Sequence, residues 1–391
     1  MVAAAFSPWP SFTREEREAV DRVLASNRVN YWTGEECRKF EREFADWSGT
    51  THAVALANGT LALELALKAA GIGPGDDVIV TPRSFFASAS CTVTVGARPV
   101  FADVDADTQN ITAETIEAAL TPSTRAIVCV HLAGMPCDMQ SIMDLADRRG
   151  LVVIEDCAQA HGARYRGQSV GGLGHIAAWS FCQDKIMTTG GEGGMVTTNS
   201  DELWSRTWSL KDHGKNWDAV YSREHPAGFR WLHESFGTNA RMLEVQAAIG
   251  RIQLDRMPTW LDQRTRNANR LAEAAAPHAV VRVPAVPDDC VHAWYRFYLF
   301  VEPDALAPGW TRDRIVADIN ERGVPCFHGA CPAIHDERAF RDAGLGPDTR
   351  LLVADQLGET SIMMLVHPTL TADEIEKSCD ALDKVLAAAS A

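Results

Sequence analysis

Lys185 is the residue of this sequence with the clearest potential for covalent chemistry. It lies among mostly uncharged residues (178–195) and precedes a loop that holds Gly190, Gly191, Gly193 and Gly194. Glycines let a backbone approach a ligand closely. A lysine in such surroundings loses solvation, so we expect its pKa to fall and its amine to act as a nucleophile toward a carbonyl group. A surface lysine in a turn, with its charged end in water, would also fit this segment.

Gly59 and Thr60 form a second candidate element, because they directly precede an apolar helical stretch at 61–70. The N-terminus of a helix offers free N–H groups and the positive end of the helix dipole, to which Thr60 adds a hydroxyl group. This combination would hold a phosphate group. A threonine that simply caps the helix after a tight turn gives the same pattern, so the motif alone leaves both interpretations open.

The acidic pair Glu155 and Asp156 ends the most hydrophobic predicted strand, at 151–154. In parallel sheets, ligands bind beyond the carboxyl ends of the strands, which would bring Asp156 against a ligand. Taken alone, Asp156 could equally cap a helix or bind magnesium. A phosphate site, an acid at a strand end and a glycine-flanked lysine are together what pyridoxal 5'-phosphate (PLP) requires. Lys185 would form the Schiff base, and the carboxylate would keep the ring nitrogen protonated so that the ring can accept electrons.

The sequence resembles the DegT/DnrJ/EryC1/StrS family of sugar aminotransferases over nearly its whole length. The resemblance rests on ordered motifs at family spacing: YWTG (31–34), FE (40–41), NGTLAL (58–63), SFFA (84–87), PVFADVD (99–105), HLAG (131–134), EDCAQAHGA (155–163), SF (180–181) with Lys185, and GTNARM (237–242). It implies the aspartate aminotransferase-like fold (PLP fold type I). This is an α/β fold with a large domain around a mostly parallel central sheet and a smaller α+β C-terminal domain.

The resemblance implies roles for the residues around the cofactor ring. Lys185 would carry the cofactor as a Schiff base and then move the proton between the substrate carbon and the cofactor. Asp156 would pair with the pyridine nitrogen, and Phe85 would stack on one face of the ring. Gln159 would lie on the other side, near the ring and its 3-hydroxyl group.

For the cofactor phosphate, the resemblance implies a binding site built by two subunits. Gly59, Thr60 and Ser180 would hold the phosphate within one chain. Asn239 would reach it from the neighbouring subunit, so the protein would be a homodimer with shared active sites. The long polar stretch at 211–237 has no clear period, and we interpret it as an active-site or subunit-contact loop.

These observations predict a PLP-dependent aminotransferase that moves an amino group from an amino acid, with L-glutamate as the expected donor, to a keto sugar or a related polyol carbonyl. Such a reaction belongs to amino-sugar and polysaccharide biosynthesis. Two alternatives stay open. Relatives that dehydrate sugars with PLP or PMP are associated with a histidine at the position of Lys185, so the lysine favours transamination. A non-catalytic regulatory role, once linked to the family, would leave a complete set of cofactor residues without a purpose.

The scarcity of arginine near the predicted site bears on the acceptor. Enzymes specialised for dicarboxylates usually bind the second carboxylate through the two-pronged guanidinium group. The predicted cofactor segments contain only Arg83, before Phe85, and Arg241, which we expect to brace the turn at Asn239. We therefore expect a polyhydroxylated ketone or aldehyde as acceptor, and not an α-keto dicarboxylic acid.

The elements that would position these residues follow from hydrophobic patterning. Short, nearly all-apolar runs alternate with helical stretches, which predicts a mostly parallel sheet covered on both faces. The predicted strands are 77–80, 99–102, 125–130 and 151–154, and the helices between them include 61–70 and 139–149.

A helical pattern from residue 242 is interrupted at Pro258 and resumes to residue 275. We expect this segment to link two domains, a PLP-binding α/β domain at 1–255 and a small α+β domain at 256–391. The elements predicted in the second domain are strands at 295–301 and 361–366 and helices at 311–321 and 371–389, the last opened by a capping box.

The composition excludes several classes of protein. Of 391 residues 46% are hydrophobic, and 37 basic against 52 acidic side chains give a net charge of −15 without a basic run, which argues against nucleic acid or an anionic membrane as a partner. No apolar stretch could span a bilayer, and we expect a cytoplasmic protein.

The cysteines lie mostly in apolar runs, which predicts free thiols. Cys326, His328 and Cys331 lack the second ligand pair of a closed zinc site, so no metal is predicted.

Overall fold

The computed structural model describes residues 6–224, 231–330 and 333–390. In chain order the strands are β1 (His52–Leu56), β2 (Asp77–Val80), β3 (Arg98–Phe101), β4 (Thr124–Val130), β5 (Val152–Asp156), β6 (Arg164–Tyr165), β7 (Gln168–Ser169), β8 (Ile176–Ser180), β9 (Gly194–Thr198), β10 (Val281–Arg282), β11 (Cys290–Val291), β12 (Phe297–Val301), β13 (Cys326–Phe327) and β14 (Ser361–Met364). The helices are α1 (Arg14–Ser26), α2 (Glu36–Ser48), α3 (Gly59–Ala69), α4 (Ala87–Thr94), α5 (Ala113–Ala119), α6 (Met139–Arg149), α7 (Asp201–Lys211), α8 (Trp217–Tyr221), α9 (Glu244–Ala275), α10 (Arg312–Glu321), α11 (Arg338–Asp342), α12 (Leu352–Thr360) and α13 (Ala372–Ala389).

A seven-stranded sheet in the order β1-β9-β8-β5-β4-β2-β3 forms the centre of the larger part. The strands β3, β2, β4, β5 and β8 pair in parallel, whereas β9 is antiparallel to both of its neighbours. All four predicted strands form, because their apolar residues can be buried on both faces of the sheet. β5 runs two residues further than predicted, since Glu155 and Asp156 continue its pairing with β4 and β8. The predicted α/β fold with a mostly parallel sheet is confirmed.

The helices α3 and α6 begin and end close to where the sequence predicts. α3 starts at Gly59, two residues earlier than expected, because the Asn58 side chain caps it by accepting a hydrogen bond from the Leu61 N–H at 2.9 Å. α6 covers the predicted residues 139–149, and Gly150 ends it in the left-handed conformation with a φ of 65°. The early start of α3 brings its first turn against Ser180 at the end of β8.

The expected interruption at Pro258 is wrong, because α9 is one continuous helix of 32 residues with Pro258 inside it. A proline removes one N–H from the helix, and the buried side chains of Leu254, Met257 and Leu271 anchor the helix on both sides of that point. α9 packs against α1 and α2 and also against α13. The expected boundary between residues 255 and 256 thus lies within a helix, and the division into two domains stays a prediction.

The C-terminal part contains a four-stranded antiparallel sheet in the order β10-β12-β14-β13. The sheet packs with α10 and α13 around a core that includes Leu299, Ile319 and Leu382. α13 has the predicted capping box: the Thr371 hydroxyl accepts a hydrogen bond from the Glu374 N–H at 3.2 Å, and the Glu374 carboxylate accepts one from the Thr371 N–H at 2.7 Å. The C-terminal part therefore has the expected mixture of strands and helices.

The nine cysteines within the described residues are all free, and most of them are buried. This agrees with the predicted reduced thiols. Cys326 is buried and His328 lies at the surface, whereas Cys331, the third residue considered as a metal ligand, lies outside the described residues. In the described part of the chain, no helix combines the length and the hydropathy that crossing a membrane requires.

Candidate active site

A cavity of about 810 Å³ lies between the seven-stranded and the four-stranded sheet. The carboxyl ends of β5 and β8 and the first turn of α3 form one wall, and residues at β12 and β14 form another. Of the predicted site residues, all but Asn239 line this cavity: Gly59, Thr60, Phe85, Asp156, Gln159, Ser180 and Lys185. The fold thus gathers residues from four separate motifs around one space.

Lys185 lies on the cavity wall with 12% of its side chain exposed. Its Nζ is 4.0 Å from Oδ1 of Asp184 and 4.9 Å from the centre of the Tyr295 ring. Burial lowers the pKa of Lys185, but its electrostatic interactions with Tyr295, Asp184 and Asp156 together raise this pKa above its ordinary value. The expectation of a lowered pKa is therefore wrong, because folding gathers acidic groups around an amine whose sequence neighbours are mostly neutral.

The backbone of Lys185 is held by the N-terminal segment, which the sequence patterns do not predict. Nε1 of Trp9 donates a hydrogen bond to the Lys185 carbonyl oxygen at 2.7 Å. The indole ring also stacks on His367, with the ring centres 6.0 Å apart. The Ser7 N–H donates to the Glu374 carboxylate at 2.5 Å and ties the same segment to α13. Trp9 thereby fixes the main chain from which the Lys185 amine extends.

Asp156 is buried at the end of β5, and two donors hold its carboxylate. Oδ2 accepts a hydrogen bond from the Ser88 hydroxyl at 2.7 Å, and Oδ1 accepts one from the Ala158 N–H at 3.1 Å. Burial raises the pKa of Asp156, and although the hydrogen bonds and the charge of Lys185 oppose this, the net shift is upward. A protonated ring nitrogen placed against Asp156 would stabilise its charged form, as the predicted pairing with PLP requires.

Glu155 points to the opposite face of β5, because successive side chains of a strand alternate, and it serves the structure. Its carboxylate accepts hydrogen bonds from N–H groups of the loop 171–174 at 2.7, 2.8 and 2.9 Å and contacts Nε2 of His131 at 3.0 Å. Burial raises the pKa of Glu155, but these partners together lower it below its ordinary value of 4.5. With Cys157, these two residues resemble a metal-binding group in their spacing, yet both carboxylate oxygens are already engaged in hydrogen bonds.

Gly59, Thr60 and Ser180 meet where the first turn of α3 lies against the end of β8. A Cβ atom on Gly59 would lie 2.6 Å from Cβ of Ser180, so the close approach requires glycine. The side chains of Thr60 and Ser180 line this end of the cavity together with the start of α3. The N–H groups of a helix start have no partner within the helix, and with two hydroxyl groups beside them they suit a phosphate group.

The glycine-rich loop at 190–194 packs closely against other parts of the protein. A Cβ atom on Gly194 would lie 2.3 Å from the carbonyl oxygen of Asn58, and one on Gly193 would lie 2.0 Å from Oγ1 of Thr189. Both glycines are therefore required by the packing of the protein itself, and their approach to a ligand stays a prediction. Gly194 lets the loop approach Asn58, the residue that caps α3, and so supports the candidate phosphate site indirectly.

Phe85 and Gln159 differ in how the protein holds them. Phe85 borders the cavity with 66% of its surface exposed, which leaves an aromatic face open to a stacking ligand. Gln159 is buried, and its Oε1 accepts a hydrogen bond from the Ala133 N–H at 2.8 Å. The arrangement of Phe85 and Gln159 on the two sides of a cofactor ring stays a prediction.

Asn239 is the predicted site residue that lies away from the cavity of its own chain. It is exposed and forms an isolated β-bridge with Asp212. Nearby in the chain, Phe236 is 98% exposed and Leu243 is 51% exposed. Large exposed apolar patches mark surfaces that another protein covers, and these two side chains could contribute to such a patch. Within the long polar stretch, residues 217–221 form α8, and residues 225–230 lie outside the described residues.

The sequence patterns did not indicate that Tyr295 and Arg296 belong to the site. Both residues directly precede β12 and lie on the cavity wall. The Tyr295 hydroxyl donates a hydrogen bond to Asp184, from which it is 111 residues away in sequence. Nη2 of Arg296 lies 3.4 Å from Oδ2 of the same carboxylate. Neither residue belongs to a motif with recognisable spacing, because long-range folding alone brings them to Lys185.

The two arginines of the predicted cofactor segments do not line the cavity. Arg83 is fully buried, and its Nη2 donates to Oε1 of Gln109 at 2.8 Å. Arg241 pairs with Asp212 at 2.7 Å beside the Asn239 turn, in agreement with the bracing role expected of it. The expectation of a site without a further arginine is wrong, because Arg296 enters the cavity from the C-terminal part.

Comparison with known proteins assigns the family. The DegT/DnrJ/EryC1/StrS aminotransferase family matches residues 10–383. The GDP-perosamine synthase of Caulobacter vibrioides is 38% identical over 380 residues, which cover 96% of this chain and 97% of that protein. An aminotransferase of known structure from Psychrobacter cryohalolentis is 59% identical with a TM-score of 0.96, covering 98% of this chain and 99% of that one. DesV of S. venezuelae, solved in complex with a ketimine intermediate, is 32% identical with a TM-score of 0.86, covering 98% and 99%.

The chain belongs to the DegT/DnrJ/EryC1/StrS aminotransferase family. Its fold is that of the PLP-dependent aminotransferases. The resemblance that the sequence motifs indicate is thereby confirmed, and with it the class of enzyme.

Proposed function

We propose that this chain is a PLP-dependent sugar aminotransferase that moves an amino group from L-glutamate to the carbonyl carbon of a keto sugar or a related polyol. One observation carries the proposal: an amine, a buried carboxylate and a helix N-terminus with two hydroxyl groups line the same cavity. The relatives support the acceptor class, since one of them is named for the synthesis of GDP-perosamine.

The groups that line the cavity fit PLP in their chemistry. Lys185 offers an amine for a Schiff base, and Asp156 offers a carboxylate for a protonated ring nitrogen. The start of α3, with Thr60 and Ser180, suits the phosphate, and the exposed ring of Phe85 offers a stacking surface. When bound, PLP supplies an electron sink for the negative charge that develops at the substrate carbon.

Lys185 is the group that moves the proton in this proposal. Its Nζ lies beside the Tyr295 ring and Asp184, within the cavity that the substrate enters. As a neutral amine, Lys185 would accept the proton from one carbon atom, and as the ammonium group it would return the same proton to another. The raised pKa of Lys185 favours the first of these transfers, because it makes the amine a stronger base. General acid–base catalysis of this kind contributes about 10²- to 10⁴-fold to the rate. The hydrogen bond from Trp9 to the Lys185 carbonyl oxygen anchors the backbone from which this amine extends.

Reconstitution with PLP, borohydride reduction and peptide mapping test the assignment of Lys185. We expect the pyridoxyl group on this lysine. A label on a different lysine, or a protein that stays colourless with added PLP, would contradict the proposal.

A screen of keto sugars with glutamate as donor, read out by mass spectrometry of the products, tests the acceptor. We expect amination of at least one nucleotide-linked or free polyhydroxylated ketone. Oxaloacetate turned over far faster than every keto sugar would show that the acceptor class is wrong.

We also propose a cytoplasmic homodimer whose subunits share their active sites, with Asn239 reaching the partner's phosphate site. The exposed position of Asn239 outside its own cavity, near the exposed side chains of Phe236 and Leu243, supports this arrangement. The free thiols of the described residues suit a reducing compartment.

A further inference from the structure

Three charged side chains lie in a row on the cavity wall. Nζ of Lys185 is 4.0 Å from Oδ1 of Asp184, and Oδ2 of Asp184 is 3.4 Å from Nη2 of Arg296. A carboxylate therefore lies between an amine and a guanidinium group. Among the described residues that line the cavity, Lys185 and Arg296 are the two cationic side chains. Because the proposed function assigns Lys185 to the cofactor, Arg296 is the cation that this chain's own cavity lining offers to an anionic group of a substrate.

The guanidinium group of Arg296 is held by its neighbour and open toward the cavity. Nη1 donates to the Tyr295 carbonyl oxygen at 3.1 Å, and the group lies 4.2 Å from the centre of the Tyr295 ring. A second space that borders on Arg296 measures only about 20 Å³, which is enough for about one water molecule. The large cavity is therefore the space beside this guanidinium group that has room for a substrate.

The single long contact with Asp184 leaves N–H donors of Arg296 for another acceptor. Their contact of 3.4 Å is longer than a charge-assisted hydrogen bond, which typically spans about 2.7–2.9 Å. The Asp184 carboxylate already accepts the Tyr295 hydroxyl, and 52% of the Asp184 side chain is exposed. A substrate carboxylate could thus make shorter bonds to Arg296 than Asp184 does.

We propose that Arg296 binds the α-carboxylate of the amino-acid donor. The inference rests on the proposed function, in which the donor amine takes the place of the Lys185 amine. One carbon separates the amine and the carboxylate of an α-amino acid, so their N and O atoms are roughly 3 Å apart. The position of Asp184 indicates that a carboxylate this close to Nζ of Lys185 also reaches Arg296. The planar guanidinium group then makes two charge-assisted hydrogen bonds.

The test uses the holoenzyme without an acceptor and α-methyl-L-glutamate, which has no α-proton to lose and therefore binds without turnover. The change in cofactor absorbance reports its binding. We expect Arg296→Gln to raise the dissociation constant about 10- to 100-fold, because a hydrogen-bonded charged partner is lost. Arg296→Lys should recover part of this loss, since it restores the charge but not the planar fork. Dissociation constants that stay unchanged would overturn the proposal.

Two further ligands identify the carboxylate that Arg296 contacts. 2-Aminoisobutyrate has an α-carboxylate and no side-chain carboxylate, whereas γ-aminobutyrate keeps the side-chain carboxylate and lacks the α-carboxylate. We expect Arg296→Gln to weaken binding of 2-aminoisobutyrate by a similar factor as that of α-methyl-L-glutamate and to leave binding of γ-aminobutyrate unchanged. The reverse pattern would assign Arg296 to the side chain of the donor and contradict the proposal.

Arg270→Gln is the matched control, because Arg270 is a half-exposed arginine that pairs with Glu376 at the surface. This variant should bind all three ligands as the wild type does. Wild-type protein that takes no pyridoxyl label on Lys185 would refute the proposed function itself. Labelled protein whose Arg296 variants bind α-methyl-L-glutamate normally would refute only the role of Arg296. Should Arg296→Gln fail to retain the cofactor, the dissociation constant of Arg296→Lys decides.

Discussion

Lys185 and Lys211 are both buried beside a tyrosine ring and a carboxylate, yet only Lys185 borders the large cavity. Nζ of Lys211 lies 3.7 Å from Oε1 of Glu41 and 3.6 Å from the centre of the Tyr31 ring, and its side chain is fully buried. The two regions thus present the same chemical groups in similar contacts. They differ in whether a ligand has room beside the amine.

The pKa values of the two amines shift in opposite directions. Burial lowers the pKa of Lys211, and the charges of Glu41 and Asp212 oppose this only in part. The pKa of Lys185 is raised, because its acidic neighbours outweigh its burial. A search for a lysine made nucleophilic by desolvation would therefore select Lys211. Space for a substrate beside the amine therefore distinguishes the proposed reactive lysine, whereas a lowered pKa does not.

Removing each amine in turn should separate the two regions most clearly. Lys185→Ala should lower kcat/KM by more than about 10⁴-fold, because both the attachment of the cofactor and the proton transfer are lost. Lys211→Met should change kcat/KM less than about threefold, since it lies away from the cavity. Steady-state assays with glutamate and an accepted keto sugar measure both. Equal losses of kcat/KM in the two variants would contradict the proposed difference in function between the two lysines.

The region of Lys211 also bears on the partner subunit, because its carbonyl oxygen accepts a hydrogen bond from the Ala240 N–H at 3.0 Å, beside Asn239. Chains with Lys185→Ala and chains with Asn239→Ala should each be impaired. After random subunit exchange, half of the dimers are mixed and each has one intact site, so about one quarter of wild-type activity should return. Activity that fails to return after exchange is verified by native mass spectrometry would argue against sites shared in this way.

The effects of the two lysine substitutions on stability should have the opposite order to their effects on activity. Lys211→Met should be the more destabilising, and Lys185→Ala the more inactivating. Lys211→Met should lower the free energy of unfolding by about 3–5 kcal/mol, because it leaves the buried carboxylate of Glu41 without its cationic partner. Urea unfolding measures this, with Lys185→Ala as the control that should lose less. The double variant Lys211→Met/Glu41→Gln should regain part of the stability. A double variant less stable than Lys211→Met would mean that the unpaired charge is not the cause.

Glu155 and Asp156, the two acids at the end of β5, also differ in the direction of their pKa shifts. Burial raises the pKa of Asp156 at the cavity, whereas hydrogen bonds bring that of Glu155 below 4.5. The ionised Glu155 therefore stabilises the fold fully above its ordinary pKa of 4.5, and this contribution decreases as the pH falls below that value. Glu155→Gln should cost about 2 kcal/mol at neutral pH and less at about pH 4. Urea unfolding at both pH values measures this loss of unfolding free energy. A loss that is larger at about pH 4 than at neutral pH would contradict the prediction.

Local patterns predicted the parts of the site that lie at the ends of elements. Asp156 and Lys185 could be found because a strand end and a run of neutral residues with glycines mark them in the sequence. Arg296 and Trp9 could not be found, because each meets Lys185 only through contacts between distant segments. The pKa of Lys185 escaped prediction for the same reason. At Pro258 a local rule failed, since tertiary packing on both sides of the proline keeps α9 continuous.

The hydrogen bonds of the N-terminal segment join parts of the chain that are far apart in sequence. Trp9 and Lys185 are 176 residues apart, and the bond from Ser7 to Glu374 spans 367 residues. Contacts this distant in sequence close large loops, whose entropic cost slows their formation. During synthesis on the ribosome, Ser7 cannot meet Glu374 before residue 374 has been added. The cavity wall that includes Met363 of β14 likewise cannot form before residue 363 has been added, so the active-site cavity is completed only when most of the chain has been made.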